Sequence, residues 1–171
     1  MLNLDFMIEI TLANTKPDYI LIEELADIIW RHHYIPITGI GQVEYMLKKY
    51  QSAEAIAKQI EDDGFEYFIL TFETTPVGYI SIKKEKDSLF LSKIYVLSDY
   101  RGKKIGKTAM QFIEDKAKTY HLKTIMLIVN KDNINSIKAY EKLGFINTRA
   151  LVKDIGCGFV MDDYQMEKTI L

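Results

Sequence analysis

The sequence predicts a single α/β domain built on one mixed sheet of about seven strands and flanked by about four helices. Three observations carry that expectation. Apolar residues switch between a period of two and a period of 3.6 several times along the chain. The middle holds three successive branched and aromatic runs, at residues 67–72, 77–83 and 89–96, separated by turn residues. The second half alternates strand and helix patterns, as parallel pairing requires a crossover. At 171 residues the chain is long enough for one well-buried core. Residues 1–171 read as one domain, with no linker, repeat or low-complexity segment.

Taken in order, Ile8-Glu9-Ile10-Thr11-Leu12 alternates and predicts the first strand. After Pro17, apolar residues recur at Leu21, Leu25 and Ile28 and at Ile22, Ala26 and Ile29, a helix running to about His32 or His33. Pro17 lies near its start, where a missing N–H costs little. Pro36, Gly39 and Gly41 make residues 34–41 a loop or a broken helix. Helices follow at 43–50 and 53–62, the second ended by Gly64. Pro76 and the Lys86-Asp87-Ser88 stretch separate the three central strands. From Lys104, Ile105, Ala109, Phe112, Ile113, Ala117 and Tyr120 share one helical face, with Lys107, Gln111, Glu114 and Lys118 opposite. Residues 125–129 form a short strand, 133–143 a helix capped by Gly144, and 145–148 and 164–170 the last strands.

Composition narrows the function. Hydrophobic residues make up 48% and charged residues 27%, the balance of a soluble globular protein. A formal charge of −2 supplies no basic field for nucleic acid. Cys157 is the only cysteine, so no disulfide framework or multi-cysteine metal site is expected. Between Gly156 and Gly158 it has no activating neighbour and reads as a small residue near a strand. Three histidines and scattered carboxylates offer no metal-ligand spacing, so no metal is expected. The first six residues lack the basic region and apolar stretch of a signal peptide. No window approaches the ~20 apolar residues needed to cross a bilayer. A cytoplasmic location without membrane or nucleic-acid partner is the expectation.

Residues 91–145 carry the chemistry. The strand end Ile94-Tyr95-Val96 runs through a turn into Tyr100-Arg101-Gly102-Lys103-Lys104-Ile105-Gly106-Lys107, which opens the amphipathic helix. The first N–H groups of a helix lack intrahelical partners, and its dipole favours negative charge there. Gly102 and Gly106 let a diphosphate approach the backbone, and Arg101, Lys103, Lys104 and Lys107 add positive charge. A nucleoside triphosphate loop needs four residues between its glycines, and here there are three. The dinucleotide pattern fails because no second glycine follows Gly102 two residues on.

The segment resembles the signature of the GCN5-related N-acetyltransferase (GNAT) superfamily. In that family a central strand ends at a splayed gap in the sheet, and an Arg/Gln-x-x-Gly-x-Gly/Ala turn holds the coenzyme A pyrophosphate. Arg101 and Gly106 match its first and last positions, and Lys104 stands where glycine is usual. Asn133 to Phe145 resembles the second signature, Asn-x-x-Ala…Tyr-Glu-Lys-Leu-Gly-Phe, with Ser136 in place of alanine. A narrower similarity, in the Trp30…Tyr34…Glu44-Tyr45-Met46-Leu47 region and at residues 158–166, is to bacterial spermidine/spermine N-acetyltransferases.

The resemblance implies the GNAT fold and acetyl-CoA as co-substrate. It assigns coenzyme A binding to Tyr95, Val96, Arg101, Gly102, Lys103, Lys104, Ile105, Gly106, Lys107, Asn133 and Ser136. The expected reaction is direct attack of a primary amine, polyamines included, on the acetyl thioester. The N–H near Val96 would polarise the carbonyl, and Tyr140 would protonate the leaving thiolate unless it merely packs on the sheet. The base stays open. Ser92 lies on the central strand, where relatives carry glutamate, and would relay a proton through water; His32, His33, Glu44 and Asp162 are alternatives. Trp30, Tyr34, Glu44, Tyr45 and Asp162 are the expected acceptor-binding residues, with Ile37, Met46 and Asp163 nearby in kind. Core packing is the ordinary role for the apolar ones. A catalytically weak acyl-CoA sensor and a longer-chain acyltransferase are competing readings, and the open edge of a split sheet would support a homodimer.

Overall fold

A computed structural model describes residues 7–170. The expectation about a signal sequence concerns residues 1–6 and lies outside the described residues. The strands are β1 Ile8–Leu12, β2 Phe65–Phe72, β3 Thr75–Lys84, β4 Leu89–Val96, β5 Thr124–Asn130, β6 Ile146–Gly156 and β7 Phe159–Thr169. They form one seven-stranded sheet in the order β1-β2-β3-β4-β5-β7-β6. β4 and β5 run parallel, whereas β1–β2, β5–β7 and β6–β7 are antiparallel, so the sheet is mixed. The helices are α1 Lys16–Thr38, α2 Ile40–Tyr50, α3 Ala53–Glu61, α4 Ile105–Thr119 and α5 Ile134–Lys142, with a 3₁₀ turn at Ser98–Tyr100.

The five α-helices among the described residues match the five helical stretches read along the sequence, one more than the round figure of about four, and α2 and α3 are separate as expected. Gln51 leaves the helical region between them, and the Ser52 hydroxyl caps α3 by accepting from the Ala55 N–H at 3.1 Å. α1 starts as expected, at a Thr15–Asp18 capping box with Pro17 in the first turn. It does not stop at His33. Pro36 lies in its last turn, and the helix ends only at Gly39, whose φ of 85° no ordinary side chain favours. Proline removes the N–H that would bond the His32 carbonyl, without breaking the turn that follows.

The chain divides into two compact units, and each is built from separated segments. One comprises residues up to Ile82 with Lys93–Ile113. Its core sets Ile22, Ala26, Ile29 and Trp30 of α1 against Tyr67, Ile69 and Tyr79 of β2 and β3. A buried polar chain runs through it. The Trp30 Nε1–H donates to the Tyr79 hydroxyl at 2.9 Å, which donates to Gln51 Oε1 at 2.6 Å. Gln51 Nε2 donates to the Tyr67 hydroxyl at 3.1 Å, which donates to Gln59 Oε1 at 2.7 Å. Each of these polar groups is paired, as burial requires. Burial pushes the Tyr79 hydroxyl well above its ordinary pKa.

The other unit comprises Lys83–Ser92 with the residues from Glu114 on. Ile125, Leu127 and Val129 of β5 stand opposite Lys168, Met166 and Tyr164 of β7, and Lys168 pairs with Glu114. β6 forms the outer strand. It runs eleven residues instead of the expected four, because an edge strand exposed along most of its length, with only Ile155 buried, carries little alternating apolar signal. The β6–β7 turn places Gly156, Cys157 and Gly158 all at positive φ, with Cys157 exposed at the tip.

Candidate functional site

In the first unit the site begins with a displaced peptide at the end of β4. A Cβ added to Gly78 of β3 would lie 2.1 Å from the Tyr95 carbonyl oxygen and 3.1 Å from the Val96 Cα. β4 thus crosses so close over β3 that only glycine fits. The Tyr95 carbonyl leans over Gly78, and across a trans peptide the Val96 N–H points the opposite way, away from β3. The strand is re-anchored one residue later, where the Leu97 N–H donates to the Val77 carbonyl at 2.7 Å. A mid-strand glycine marks close backbone approach, and that was the signal available in Val77-Gly78-Tyr79.

The turn that follows is a left-handed cradle. Gly102 has φ 79° and Lys104 φ 64°, alternating with residues of ordinary backbone. Such alternation directs successive N–H groups into one concavity, an anion nest. The φ of Lys104 explains why glycine is usual at its position: a side chain there costs roughly 1 kcal/mol. α4 starts immediately after, its first turn closed by the Thr108 N–H and hydroxyl donating to the Lys104 carbonyl at 3.0 and 3.1 Å. A Cβ at Gly102 or Gly106 would meet nothing within 4 Å. Nothing inside the protein demands glycine at Gly106, whereas a diphosphate laid on the helix N-terminus would. Arg101, Lys103, Lys104 and Lys107 are exposed around this turn, and Ile105 is buried beneath it. The Lys103 ammonium rests 5.6 Å from the Phe72 ring centre.

Beside the turn lies a shallow cavity of about 100 Å³ lined by Ile28, Ile29, His32, Val96, Leu97, Ser98 and Arg101. Of the candidate bases, His32 is the one this cavity brings next to Val96. Glu44 is exposed and paired with Arg31 at 3.3 Å.

The aromatic candidates divide. Trp30 is only 4% exposed and belongs to the core, so it cannot present its ring to an acceptor. It makes edge contacts with Tyr34 and Tyr95, whose hydroxyls share a hydrogen bond of 2.8 Å. Tyr45 is half-buried and accepts from the Lys49 ammonium at 3.2 Å. Sequence reasoning passed over Lys93, whose ammonium lies 6.0 Å from the Trp30 ring centre. Burial lowers its pKa from the ordinary 10.5 to about 8. The cost of burying that charge is fully present below about pH 8 and is relieved as pH rises toward 10.5. Lys93→Met is therefore expected to stabilise the protein by roughly 2 kcal/mol at pH 7. Denaturant titrations should show this gain shrinking at pH 10; a gain independent of pH would contradict it.

In the second unit, Asn133 is 4% exposed and opens α5, with the Ile137 N–H donating to its carbonyl at 3.0 Å. Ser136 is half-buried one turn on. Tyr140 is half-buried, with its ring centre 5.7 Å from that of the buried Phe145. Packing thus orients the ring from one side. Ser92, half-buried, is the last residue of this unit on β4. It lies just beyond the stretch in which Leu89–Leu91 pair with Ile125–Leu127. Asp162 is exposed and bonded to the Lys131 ammonium at 2.5 Å. Among the described residues no group of three or more His, Cys, Asp or Glu could hold a metal ion, and no helix is long and apolar enough to cross a membrane.

A profile of the acetyltransferase (GNAT) family matches residues 22–145. The spermidine N(1)-acetyltransferase of Thermoplasma acidophilum is 26% identical over 126 residues, which cover 71% of this chain and 78% of that protein. Two solved structures share the fold. The PaiA N-acetyltransferase from Thermoplasma acidophilum, in complex with coenzyme A, gives a TM-score of 0.77 at 24% identity, covering 96% of this chain and 99% of that one. A GCN5-related N-acetyltransferase from Rhodopseudomonas palustris gives 0.79 at 18% identity, covering 95% of each. An open mixed sheet, a glycine-dependent strand end and a helix start preceded by left-handed residues fit such an enzyme, and the chain belongs to the acetyltransferase (GNAT) family, an N-acetyltransferase that uses acetyl-CoA as its acyl donor.

Proposed function

We propose that this protein acetylates a primary amine, with polyamines as the acceptor class, by direct attack of the amine on the acetyl thioester. The observation that carries the proposal is the displaced peptide over Gly78, which turns the Val96 N–H away from β3. A fixed backbone donor needs no reorganisation as negative charge develops on a carbonyl oxygen, and one such donor is worth about 10²–10³ in turnover.

Acetyl-CoA supplies an activated acyl group. The nest at Gly102 and Lys104 and the first N–H groups of α4 receive its diphosphate, and Arg101, Lys103 and Lys107 balance the charge. Tyr95 and Val96 lie along its path by resemblance, and Asn133 and Ser136 hold its arm. Tyr140 donates a proton to the departing sulfur. Tyr140→Phe keeps the contact with Phe145 and removes the donor, so turnover should fall about 100-fold with acetyl-CoA affinity within about twofold. Single-turnover kinetics alongside equilibrium binding separate the two; equal turnover would remove Tyr140 from the chemistry.

Polyamines are favoured by the similarity to the spermidine N(1)-acetyltransferase of Thermoplasma acidophilum and by the buried carboxylate of Asp163 on β7. We place the reaction in the cytoplasm. The test is thiol release from acetyl-CoA across spermidine, spermine, small monoamines and lysine peptides, with a no-amine control. Amine-dependent release with spermidine ahead of monoamines supports the proposal. Coenzyme A binding without release on any amine would favour a sensor instead.

A further inference from the structure

Asp163 is 4% exposed, and its Oδ1 has no hydrogen-bond partner among the described residues. An ionised carboxylate held that way is costly, and proteins keep such a group where a partner arrives from outside. Its neighbour Asp162 differs in every respect. Successive strand residues point to opposite faces, and Asp162 is exposed and satisfied by Lys131. Lys131 also lies over the Tyr164 ring at 5.4 Å, on the face of Asp162 and Tyr164. Lys131 is thus committed to the face that Asp163 does not occupy.

On its own face Asp163 stands between Asn130 of β5 and Leu151 of β6. Neither carries a charge. Asn130 turns its Oδ1 to the Asp132 N–H at 2.8 Å. The flanking β6 positions on that face are Arg149, which donates to Gln165 Oε1 at 3.2 Å, and the exposed Lys153. Burial, with the adjacent Asp162 adding and Lys131 opposing, raises the Asp163 carboxyl to about 6. It is thus ionised at neutral pH and still basic enough to take a proton. The loop that leads to Asn133 is tied to this strand, the Lys131 N–H donating to the Asp162 carbonyl at 3.0 Å.

We propose that the Asp163 carboxylate is the anchor for the acceptor's ammonium and the first acceptor of its proton. This rests on the amine-acetylation reading above and names the group that its sequence left open. The ammonium N–H bond breaks, a carboxyl O–H forms, and the lone pair left on nitrogen is free to attack the thioester carbon. The C–S bond then breaks, the sulfur leaves as thiolate and takes the Tyr140 proton, and the second proton lost by the nitrogen restores the Tyr140 hydroxyl. One proton per turnover passes from Asp163 to water.

The test is calorimetric titration of spermidine and of n-butylamine into coenzyme A-saturated protein, wild type and Asp163→Asn, with kcat/KM measured against pH. The variant should bind both amines at least tenfold more weakly while binding coenzyme A within twofold of wild type, which also reports that it is folded. The acid limb of the wild-type pH profile should vanish in the variant, a change that a merely structural role would not produce. Amine binding that depends on Asp163 in a protein without turnover would uphold the anchor and sink the acetylation reading. Wild-type amine affinity in Asp163→Asn, or no amine binding by wild type, would overturn the anchor.

Discussion

Gly78→Ala should abolish amine acetylation and lower stability by about 3 kcal/mol, the upper range for forcing volume into a packed site. The new Cβ would sit 2.1 Å from a carbonyl oxygen, a distance no contact tolerates, and the obstacle is backbone rather than a flexible side chain. β3 and β4 must part by more than an ångström, or the Tyr95–Val96 peptide must rotate back. Either response re-aims the Val96 N–H. Gly78 has no left-handed φ, so the effect is one of space and not of backbone freedom. Denaturant unfolding and single-turnover acetylation measured on the same preparation check both halves. A stable Gly78→Ala protein with wild-type turnover would mean that the displaced peptide has no part in the chemistry.

Gly106→Leu should act in the opposite sense on the two quantities. Gly106 is exposed in the first turn of α4, and a side chain there meets no protein atom within 4 Å. Leucine in place of helical glycine stabilises by about 0.5–1 kcal/mol, so the melting temperature should rise. If a diphosphate lies on that backbone, the added side chain displaces it, and acetyl-CoA affinity should fall by about 100-fold, or ~2.7 kcal/mol. The divergence excludes a general folding defect as the cause. Unchanged affinity in Gly106→Leu would show that the phosphates lie elsewhere.

Much of the fold was legible because its signals are local. β1 and β4 begin and end where alternation and turn residues put them, and the amphipathic face of α4 starts one residue after Lys104. The parts that were not legible depend on tertiary context. α1 continues through Pro36 because the helix needs only a few more residues to reach Gly39, and a proline in the last turn forfeits little. The β2–β3 connection is a tight turn with Glu73 at φ 46° and Thr74 at φ 73°, a geometry normally announced by Asn-Gly and here by nothing. β6 gives little periodic signal because it is exposed along most of its length, with Ile155 its one buried residue.

The site divides along the same line. Gly102, Gly106 and the surrounding charges were readable because anion binding at a helix start is written in consecutive residues. The left-handed Lys104 was not, since a lysine gives no sign of φ 64°. Trp30 looked available for an acceptor, yet its indole N–H is spent on Tyr79 inside the core. Asp162 and Asp163 are indistinguishable by type. Only the register of β7 decides that one pairs with Lys131 at the surface and the other is buried with an unpartnered oxygen.

The most direct measurement is product analysis by mass spectrometry after incubation with spermidine and acetyl-CoA carrying a ¹³C-labelled acetyl group. Amine acetylation predicts labelled acetyl on a spermidine nitrogen, with one coenzyme A thiol formed for each acetyl transferred. Thiol formed without labelled spermidine or any other labelled amine would contradict it.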